Sequence, residues 1–171
     1  MKKTIVFTAF TFCIIMGSFG QTKDVNKDKK KEDKKEEKSL IEKQIQVNDK
    51  KLINFSIKAR VDSLIDLYSP SCYYTKEYDK RIDGRDDLQK KFIDDFKTGL
   101  KISEMSLSSD DIKINGDMAI EIGVLTIKYT TSAKPAIISE KNNYMIIWKK
   151  SSDGKYRIRY QIASPINYPC K

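Results

Sequence analysis

The sequence predicts one α+β domain in which amino-terminal helices pack in the concave face of a strongly bent antiparallel sheet. Three observations predict this fold. Apolar residues recur at three- and four-residue spacing in the first half of the domain, as in amphipathic helices. Apolar and polar residues alternate in the second half, between glycine-containing turns, as in strands. The alternation changes phase near Gly123, which predicts a bend, so that the sheet wraps round the helices as a cone.

Residues 1–20 have the pattern of a cleavable signal peptide. Lys2 and Lys3 precede an uncharged, mostly apolar segment. The small residues Ser18 and Gly20 occupy the −3 and −1 positions of a cleavage site before Gln21. The apolar segment is shorter than the ~20 residues of a spanning helix. We therefore expect a periplasmic or secreted product that does not span the membrane after cleavage. A lipoprotein is less favoured, because the residues before Cys13 are not the small ones such a signal requires.

Residues 21–39 are rich in Lys and Glu and contain one aliphatic residue, Val25. This composition buries too little apolar surface to offset chain entropy, so it predicts a disordered tether. The alternative is that the tract extends the following helix, because Glu and Lys residues four apart stabilise a helix. The folded domain is expected to span 40–171.

The first helix of the domain is predicted from about Leu40 to Tyr68. Ser69-Pro70 should end it, because the residue before a proline avoids the α region. A short aromatic strand is predicted at 71–78, and a second amphipathic helix at 86–100.

Four antiparallel strands are predicted after the second helix. Asn115-Gly116 and Asp153-Gly154 are strong signals for tight hairpin turns, because such turns need positive φ at their central residues. The four strands are expected at 105–114, 118–130, 142–150 and 156–163.

Side-chain parity across the second hairpin predicts which sheet face is buried, since residues two apart share a face. The set expected under the helices is Met145, Ile147, Tyr156, Ile158, Tyr160 and Ile162. The set expected on a half-exposed face or a dimer interface is Tyr144, Ile146, Trp148, Arg157, Arg159 and Gln161.

The strand from Met118 shows the change of phase. Ile120 and Ile122 alternate with Glu121, whereas the apolar positions beyond Gly123 have the opposite parity. One extra residue at Gly123, a β-bulge, would account for the change and would bend the sheet. The same parity places Glu121 on the outer face.

Composition excludes several kinds of chemistry. The chain contains no histidine, so Ser-His-Asp and Cys-His catalysis are excluded, and so is the commonest ligand of transition metals. No Asp/Asn pattern of the calcium-loop kind occurs, and we expect neither a metal nor a cofactor. The net charge is +9, but only +5 of it remains from Leu40 onward, and no basic face with interleaved aromatics is evident. We therefore expect no nucleic-acid binding.

Two cysteines remain after the leader is removed, Cys72 and Cys170. In an oxidising compartment they can form a disulfide that ties the first strand to the carboxyl-terminal tail. The alternative, two unpaired thiols, stays open because geometry decides between them.

Four segments resemble the SnoaL-like and ketosteroid-isomerase-like superfamily, which includes nuclear transport factor two. They are LIDLYSPSCYY, RIDGRDDLQKKF, DIKINGDMAIEIG and YMIIWKKSSDGKYRIRYQIA. The resemblance as a whole extends over about residues 48–164. The resemblance implies a cone-shaped α+β barrel with a pocket. It also implies a homodimer across the sheet, here through the face around Trp148.

The acidic positions of the family are not retained. Members carry an acid after the Leu-Tyr turn and another in the last strand, where this chain has Ser71 and Gln161. The isomerases use a carboxylate as the proton shuttle and a tyrosine as the oxyanion donor. No pocket carboxylate is apparent in this sequence, and Glu121 is the one weak catalytic candidate.

Two functions are compatible with these residues. The first is an exported, non-catalytic module that holds a small apolar ligand or a protein partner. The second is an isomerase, cyclase or dehydratase that uses Glu121 with a pocket tyrosine. The candidate ligand-pocket residues, which can instead be ordinary core residues, are Tyr73, Tyr129, Met145 and Tyr160.

Overall fold

The computed structural model describes residues 22–76 and 80–166. Residues up to Glu36 belong to one compact unit, and the chain from Glu37 onward forms a second one that contains the sheet. The helices are α1 (Thr22–Ile57), α2 (Val61–Ile65) and α3 (Arg85–Lys97). The strands are β1 (Tyr68–Lys76), β2 (Ile82–Asp83), β3 (Lys101–Asn115), β4 (Met118–Thr130), β5 (Ile138–Lys150) and β6 (Tyr156–Pro165).

The Lys/Glu-rich tract is helical from Thr22 onward, as part of α1. This is the helical extension left open above, and it differs from the disordered tether expected for 21–39. The tract contains neither Gly nor Pro to interrupt a helix. Its role as a tether stays a prediction, and the predicted leader at 1–20 lies outside the described residues. Within the described part of the chain, no helix is long and apolar enough to cross a membrane.

The first long helix ends earlier than the apolar spacing predicts. It stops at Ile57, and Ala59 has a positive φ of 52° before the short α2 begins. Tyr68, the expected end of the helix, is already the first residue of β1. The amide of Ile158 donates to the carbonyl of Leu67 over 2.8 Å, so pairing with β6 replaces the helical hydrogen bonds here.

The six strands form one sheet in the order β2-β1-β6-β5-β4-β3, which does not close into a barrel. The pairing of β1 with β6 is parallel, and the other pairings are antiparallel. The predicted α+β class is confirmed, with a mixed sheet in place of a purely antiparallel one. The sequence contains no signal for the parallel pair, because its two strands are far apart in the chain.

The prediction of which face is buried was correct for the start of β6, where Tyr156 and Ile158 are 3% and 0% exposed, but wrong for β5 and for β6 beyond Arg159. Trp148 and Ile146 are fully buried, and Tyr144 is 4% exposed, whereas Ile162 is 41% exposed. The register explains the inversion, because Ile147 pairs with Tyr160 while Trp148 pairs with Ile158. Arg159 is thus an extra residue in β6, and side-chain parity changes across it.

The bulge expected at Gly123 is on the partner strand instead. Ser109 pairs with Gly123 and Asp111 with Ile122, so Asp110 of β3 is the extra residue, whereas β4 pairs with β5 without a break. A β-carbon on Gly123 would lie 2.1 Å from the carbonyl oxygen of Ser108. Glycine is required because the bulged strand approaches it closely.

Because β4 keeps one parity, its inner residues are those on the Glu121 face. Ala119 and Glu121 are fully buried, and Ile120 and Ile122 are 41% and 43% exposed. The outward placement predicted for Glu121 was therefore wrong. Cys72 is buried in the core at 1% exposure, and its predicted partner, Cys170, lies outside the described residues.

Candidate functional site

A cavity of about 300 Å³ lies between the helices and the inner face of the sheet. It is enclosed by α1, α2 and α3 on one side and by strands β1 and β3 to β6 on the other. Much of its wall is apolar, as in ligand-binding pockets generally. The apolar side chains that define it include Leu52, Leu64, Phe92, Phe96, Leu125 and Ile127.

One polar contact in the wall joins the first and last strands. The hydroxyl of Tyr68 donates to Oε1 of Gln161 over 2.5 Å, and both side chains line the cavity. Burial raises the pKa of Tyr68 well above its ordinary value, so the phenol stays protonated and remains a donor. The ring of Phe92 lies 5.9 Å from the rings of Tyr68 and Tyr74 and holds this wall in place.

A carboxylate with two charged or polar neighbours also lines the cavity. Glu140 on β5 accepts from the hydroxyl of Tyr129 over 2.6 Å and from Nζ of Lys76 over 3.0 Å. Burial alone would raise the pKa of Glu140, but these hydrogen bonds and one from Asn142 hold it below its ordinary value. Burial and the Glu140 carboxylate raise the pKa of Tyr129 to about 12. At neutral pH Glu140 is therefore a carboxylate, and Tyr129 is its donor.

A second ion pair lines the cavity from α3. Nζ of Lys91 lies 3.0 Å from one oxygen of Asp95 and 3.1 Å from the other. The two side chains are about one-third exposed, so the pair faces both the cavity and solvent. The charged side chains that line the cavity thus comprise two ammonium groups and two carboxylates.

The four predicted pocket residues are separated by the sheet. Tyr129 lines the cavity. Tyr73 and Tyr160 stack on each other at 4.9 Å, with ring planes 15° apart, on the outer side. Met145 also lies on the outer side, between Ile122 and Ile162 in the register. The inverted faces of β5 and β6 account for this separation.

The predicted catalytic candidate, Glu121, does not line the cavity. Its side chain is fully buried, and it accepts from the hydroxyl of Tyr144 over 2.8 Å and from Nε1 of Trp148 over 2.9 Å. The two donors lie four residues apart on β5 and therefore share a face of the sheet. Glu121 pairs with Ile146, midway between them, so its side chain points to the same face. This arrangement satisfies a buried carboxylate within the core.

Asp49 on α1 completes a buried carboxyl pair with Glu121. Burial, together with the charge and hydrogen bond of Glu121, raises the pKa of Asp49 to about 8. Asp49 therefore keeps its proton at neutral pH. Oδ1 of Asp49 has no hydrogen-bond partner among the described residues.

Glu140 and Lys76 are the cavity residues that the sequence reasoning missed. Glu140 precedes the predicted start of its strand at residue 142, but β5 begins at Ile138. Extending the alternation back from Tyr144 would have placed Glu140 on the same face. That face was itself assigned wrongly to the outside. Glu140 was therefore missed both because the strand was predicted to start too late and because its face was predicted to be exposed.

Trp148 cannot contribute to a dimer interface as predicted, because it is fully buried within one chain. The exposed apolar surface lies on the outer face of the sheet instead. Register places Ile120, Ile147 and Tyr160 in one cross-strand row, and Ile122, Met145 and Ile162 in the next. We call these six residues the outer apolar patch.

A wider groove of about 680 Å³ lies along α1 and the start of β6. It is open to solvent, and exposed lysines such as Lys43 and Lys51 line it. Among the described residues, no group of three or more acidic or cysteine side chains is placed to hold a metal ion.

Helices packed over the inner face of a bent, open sheet, with a cavity between them, define the nuclear transport factor 2-like (NTF2-like) fold. Comparison with solved structures shows that this chain has it. No protein-family model matches the sequence, and neither does any curated protein.

Three solved structures illustrate the likeness. An NTF2-like superfamily protein from Salmonella enterica has a TM-score of 0.65 at 15% identity, over 77% of this chain and 94% of its own. A ketosteroid isomerase-like protein from Erwinia carotovora atroseptica has a TM-score of 0.60 at 16% identity, over 67% and 88%. An NTF2-like protein of unknown function from Shewanella oneidensis has a TM-score of 0.59 at 13% identity, over 71% and 97%. At these identities the likeness concerns the fold.

Proposed function

We propose that this chain is an exported, non-catalytic binding module that holds a small apolar ligand in the cavity between its helices and its sheet. The observation that carries the proposal is the cavity itself, with apolar walls and a few convergent polar groups. This is the usual construction of a small-molecule site. Its volume of about 300 Å³ is at the low end for such sites, which favours a small ligand.

The alternative, an isomerase-type enzyme, requires Glu121 to reach a ligand together with a tyrosine. Glu121 is instead enclosed by Tyr144 and Trp148, and it is absent from the cavity wall. Two carboxylates do line the cavity. Glu140 has a pKa below its ordinary value, which makes it a weaker proton acceptor, and Asp95 is paired with Lys91. These observations favour binding over acid–base catalysis.

Filling the cavity tests the binding function. Ile127→Trp places the largest side chain on the cavity wall, so we expect affinity for naphthalene, an apolar probe of matching size, to fall at least tenfold. The protein should remain folded, because the added atoms enter empty space. Isothermal titration calorimetry and the ligand-induced rise in Tm measure the effect.

Ile137→Trp is the matched control, because Ile137 is 68% exposed and lies away from the cavity. It should bind naphthalene as the wild type does. Equal naphthalene binding by the wild type and the Ile127→Trp variant, or a wild type that binds neither naphthalene nor its hydroxylated analogue naphthol, would contradict the proposal.

We also propose that the protein forms a homodimer through the outer apolar patch. Ile120, Ile122 and Ile162 of this patch are each more than 40% exposed. Contiguous exposed apolar surface of this kind commonly marks an interaction site. The Lys113–Asp111 ion pair flanks the patch on the β3 side and the Arg81–Asp83 ion pair on the β2 side. Each border carries one charge of each sign, and the guanidinium of Arg159 lies over the Tyr160 ring, 5.5 Å from its centroid.

A further inference from the structure

The charged groups of the cavity wall are already neutralised in pairs. Lys76 pairs with Glu140, and Lys91 pairs with Asp95. An ionised ligand would add a net charge to a partly buried site and would have to displace one partner from its ion pair. Desolvation of an unpaired charge is costly, so the paired arrangement disfavours both anionic and cationic ligands.

The Lys76–Glu140 pair can still form hydrogen bonds. An ammonium group has three donors, and Lys76 uses one of them on Glu140. A carboxylate has about four acceptor sites, and Glu140 uses three, on Tyr129, Lys76 and Asn142. A ligand group that donates to Glu140 and accepts from Lys76 at the same time would fill the fourth acceptor site of Glu140 and engage a second donor of Lys76. A hydroxyl group does this, whereas a hydrocarbon does neither.

The remaining wall limits the body of the ligand. Apolar surface comes from Phe92, Phe96, Leu125 and Ile127. Deeper in the wall, the side chains of Tyr68 and Gln161 are hydrogen-bonded to each other. A volume of about 300 Å³ accommodates on the order of ten water-sized groups, at the ~30 Å³ that each water occupies in the liquid.

We infer that the cavity selects an uncharged apolar molecule of about that size that carries one hydroxyl group, which binds between Lys76 and Glu140. Lys76 and Glu140 are then the residues that determine specificity. The inference rests on the proposed binding function and names its ligand class.

Four probes with the same ring system test the inference: naphthalene, naphthol, naphthoate and naphthylmethylammonium. Titration calorimetry at neutral pH should show the wild type binding naphthol at least tenfold more tightly than each of the other three. Tighter binding of naphthoate or naphthylmethylammonium, or equal binding of naphthol and naphthalene, overturns the inference.

Charge variants should shift the preference in opposite directions. Glu140→Gln leaves Lys76 unneutralised, so naphthoate should gain at least tenfold relative to naphthol. Lys76→Met leaves the Glu140 charge unpaired, so naphthylmethylammonium should gain by a similar factor. Unchanged preferences in both folded variants would overturn the assignment of these two residues.

Two further variants distinguish the effect of a changed charge on ligand preference from the effect of any substitution. Tyr129→Phe removes a hydrogen bond to Glu140 but no charge, so the preference for naphthol over naphthoate should persist. Glu104→Gln is the matched control, because this carboxylate also pairs with a lysine, Lys128, at 2.8 Å, but is 67% exposed outside the cavity. It should leave all four affinities unchanged, and a change would count against the assignment.

The results distinguish this inference from the function on which it rests. If no probe binds the wild type, the binding function itself fails. If naphthalene binds and Ile127→Trp abolishes its binding, but the hydroxyl confers no preference, the binding function stands and the ligand class is wrong.

Discussion

The pairing of Asp49 with Glu121 places two carboxyl groups in the core of a protein without histidine. Two ionised carboxylates are disfavoured there, because burial and the neighbouring Glu121 raise the pKa of Asp49. One shared proton resolves the conflict, and the donors Tyr144 and Trp148 stabilise the remaining charge. The arrangement makes the stability of the fold depend on that proton.

The pH dependence of stability tests the shared proton. The pKa of Asp49 is about 8 in the folded chain, against 3.8 for an ordinary aspartate, so the folded state binds the extra proton between these values. The contribution to stability is complete below about pH 4 and is lost progressively as the pH rises to 8. We expect urea unfolding to show a free energy that falls from pH 5 to pH 8, by at most about 1.4 kcal/mol per pH unit from this group.

The Asp49→Asn variant should flatten this dependence. Its amide can donate to Glu121 at every pH, so it should be at least as stable as the wild type above pH 8. Asp94→Asn, at an exposed position on α3, should keep the slope of the wild type. An equally steep slope in the Asp49→Asn variant would show that the proton resides elsewhere.

Among the secondary-structure elements, the β3–β4 hairpin shows how a bulge and a glycine act together. Asp110 is the extra residue of β3, and the bulged backbone passes so close to Gly123 that a β-carbon there would also lie 2.9 Å from the Cα of Ser109. The approaching atoms are backbone atoms, which cannot rotate away. The bend of the sheet at this point therefore depends on a missing side chain.

Gly123→Ala should destabilise the protein by about 2 kcal/mol or more, because the added methyl group overpacks a rigid site. Equilibrium denaturation by guanidinium measures the change. Gly154→Asn is a suitable control, since no atom lies within 4 Å of its would-be β-carbon and asparagine tolerates the positive φ of 79°. That variant should cost less than about 1 kcal/mol. Similar losses in both would argue against the close approach.

The strand positions were predictable from the sequence, and the orientation of the strands was not. Hairpin signals and alternation gave β4 with its bounds and β5 and β6 with small errors, because these signals are local. Orientation failed at Arg159, where one extra residue reverses parity without any compositional mark. For the same reason the sequence did not predict that Glu140 and Tyr129 line one cavity, since the two residues share a face only in the observed register.

A second reason for the failure is that both faces of the sheet are apolar near its centre. Ile120 and Ile122 looked like core residues, and Glu121 between them looked like a surface residue. The usual assignment of apolar residues to the interior holds only when one face meets water. Here the outer face carries apolar side chains although it is exposed, so that assignment fails.

At the scale of the whole molecule, the outer apolar patch leads to a prediction about assembly. Ile122→Glu introduces an unpaired charge into the proposed two-fold interface, once from each copy. We expect the dimer dissociation constant to rise by about a hundredfold or more, because burying unpaired charges costs several kcal/mol. Sedimentation velocity across a concentration series measures the change.

The Ile137→Glu variant provides the comparison, since Ile137 is exposed but lies outside the patch. It should assemble as the wild type does. The monomer should tolerate either change, so Tm measured at low concentration should differ little. A wild-type protein that is monomeric at high concentration would rule out the interface.

The parallel pairing of β1 with β6 also determines the order in which the chain can fold. Tyr74 lies beside Gln161 in the register, so the first strand finds its partner only after almost the whole domain has been synthesised. Long-range closures of this kind are slow steps in folding. The wall that contains Tyr68 and Gln161 is therefore completed last, and a chain stopped before Tyr156 lacks the side chain that accepts the hydrogen bond of Tyr68 in that wall.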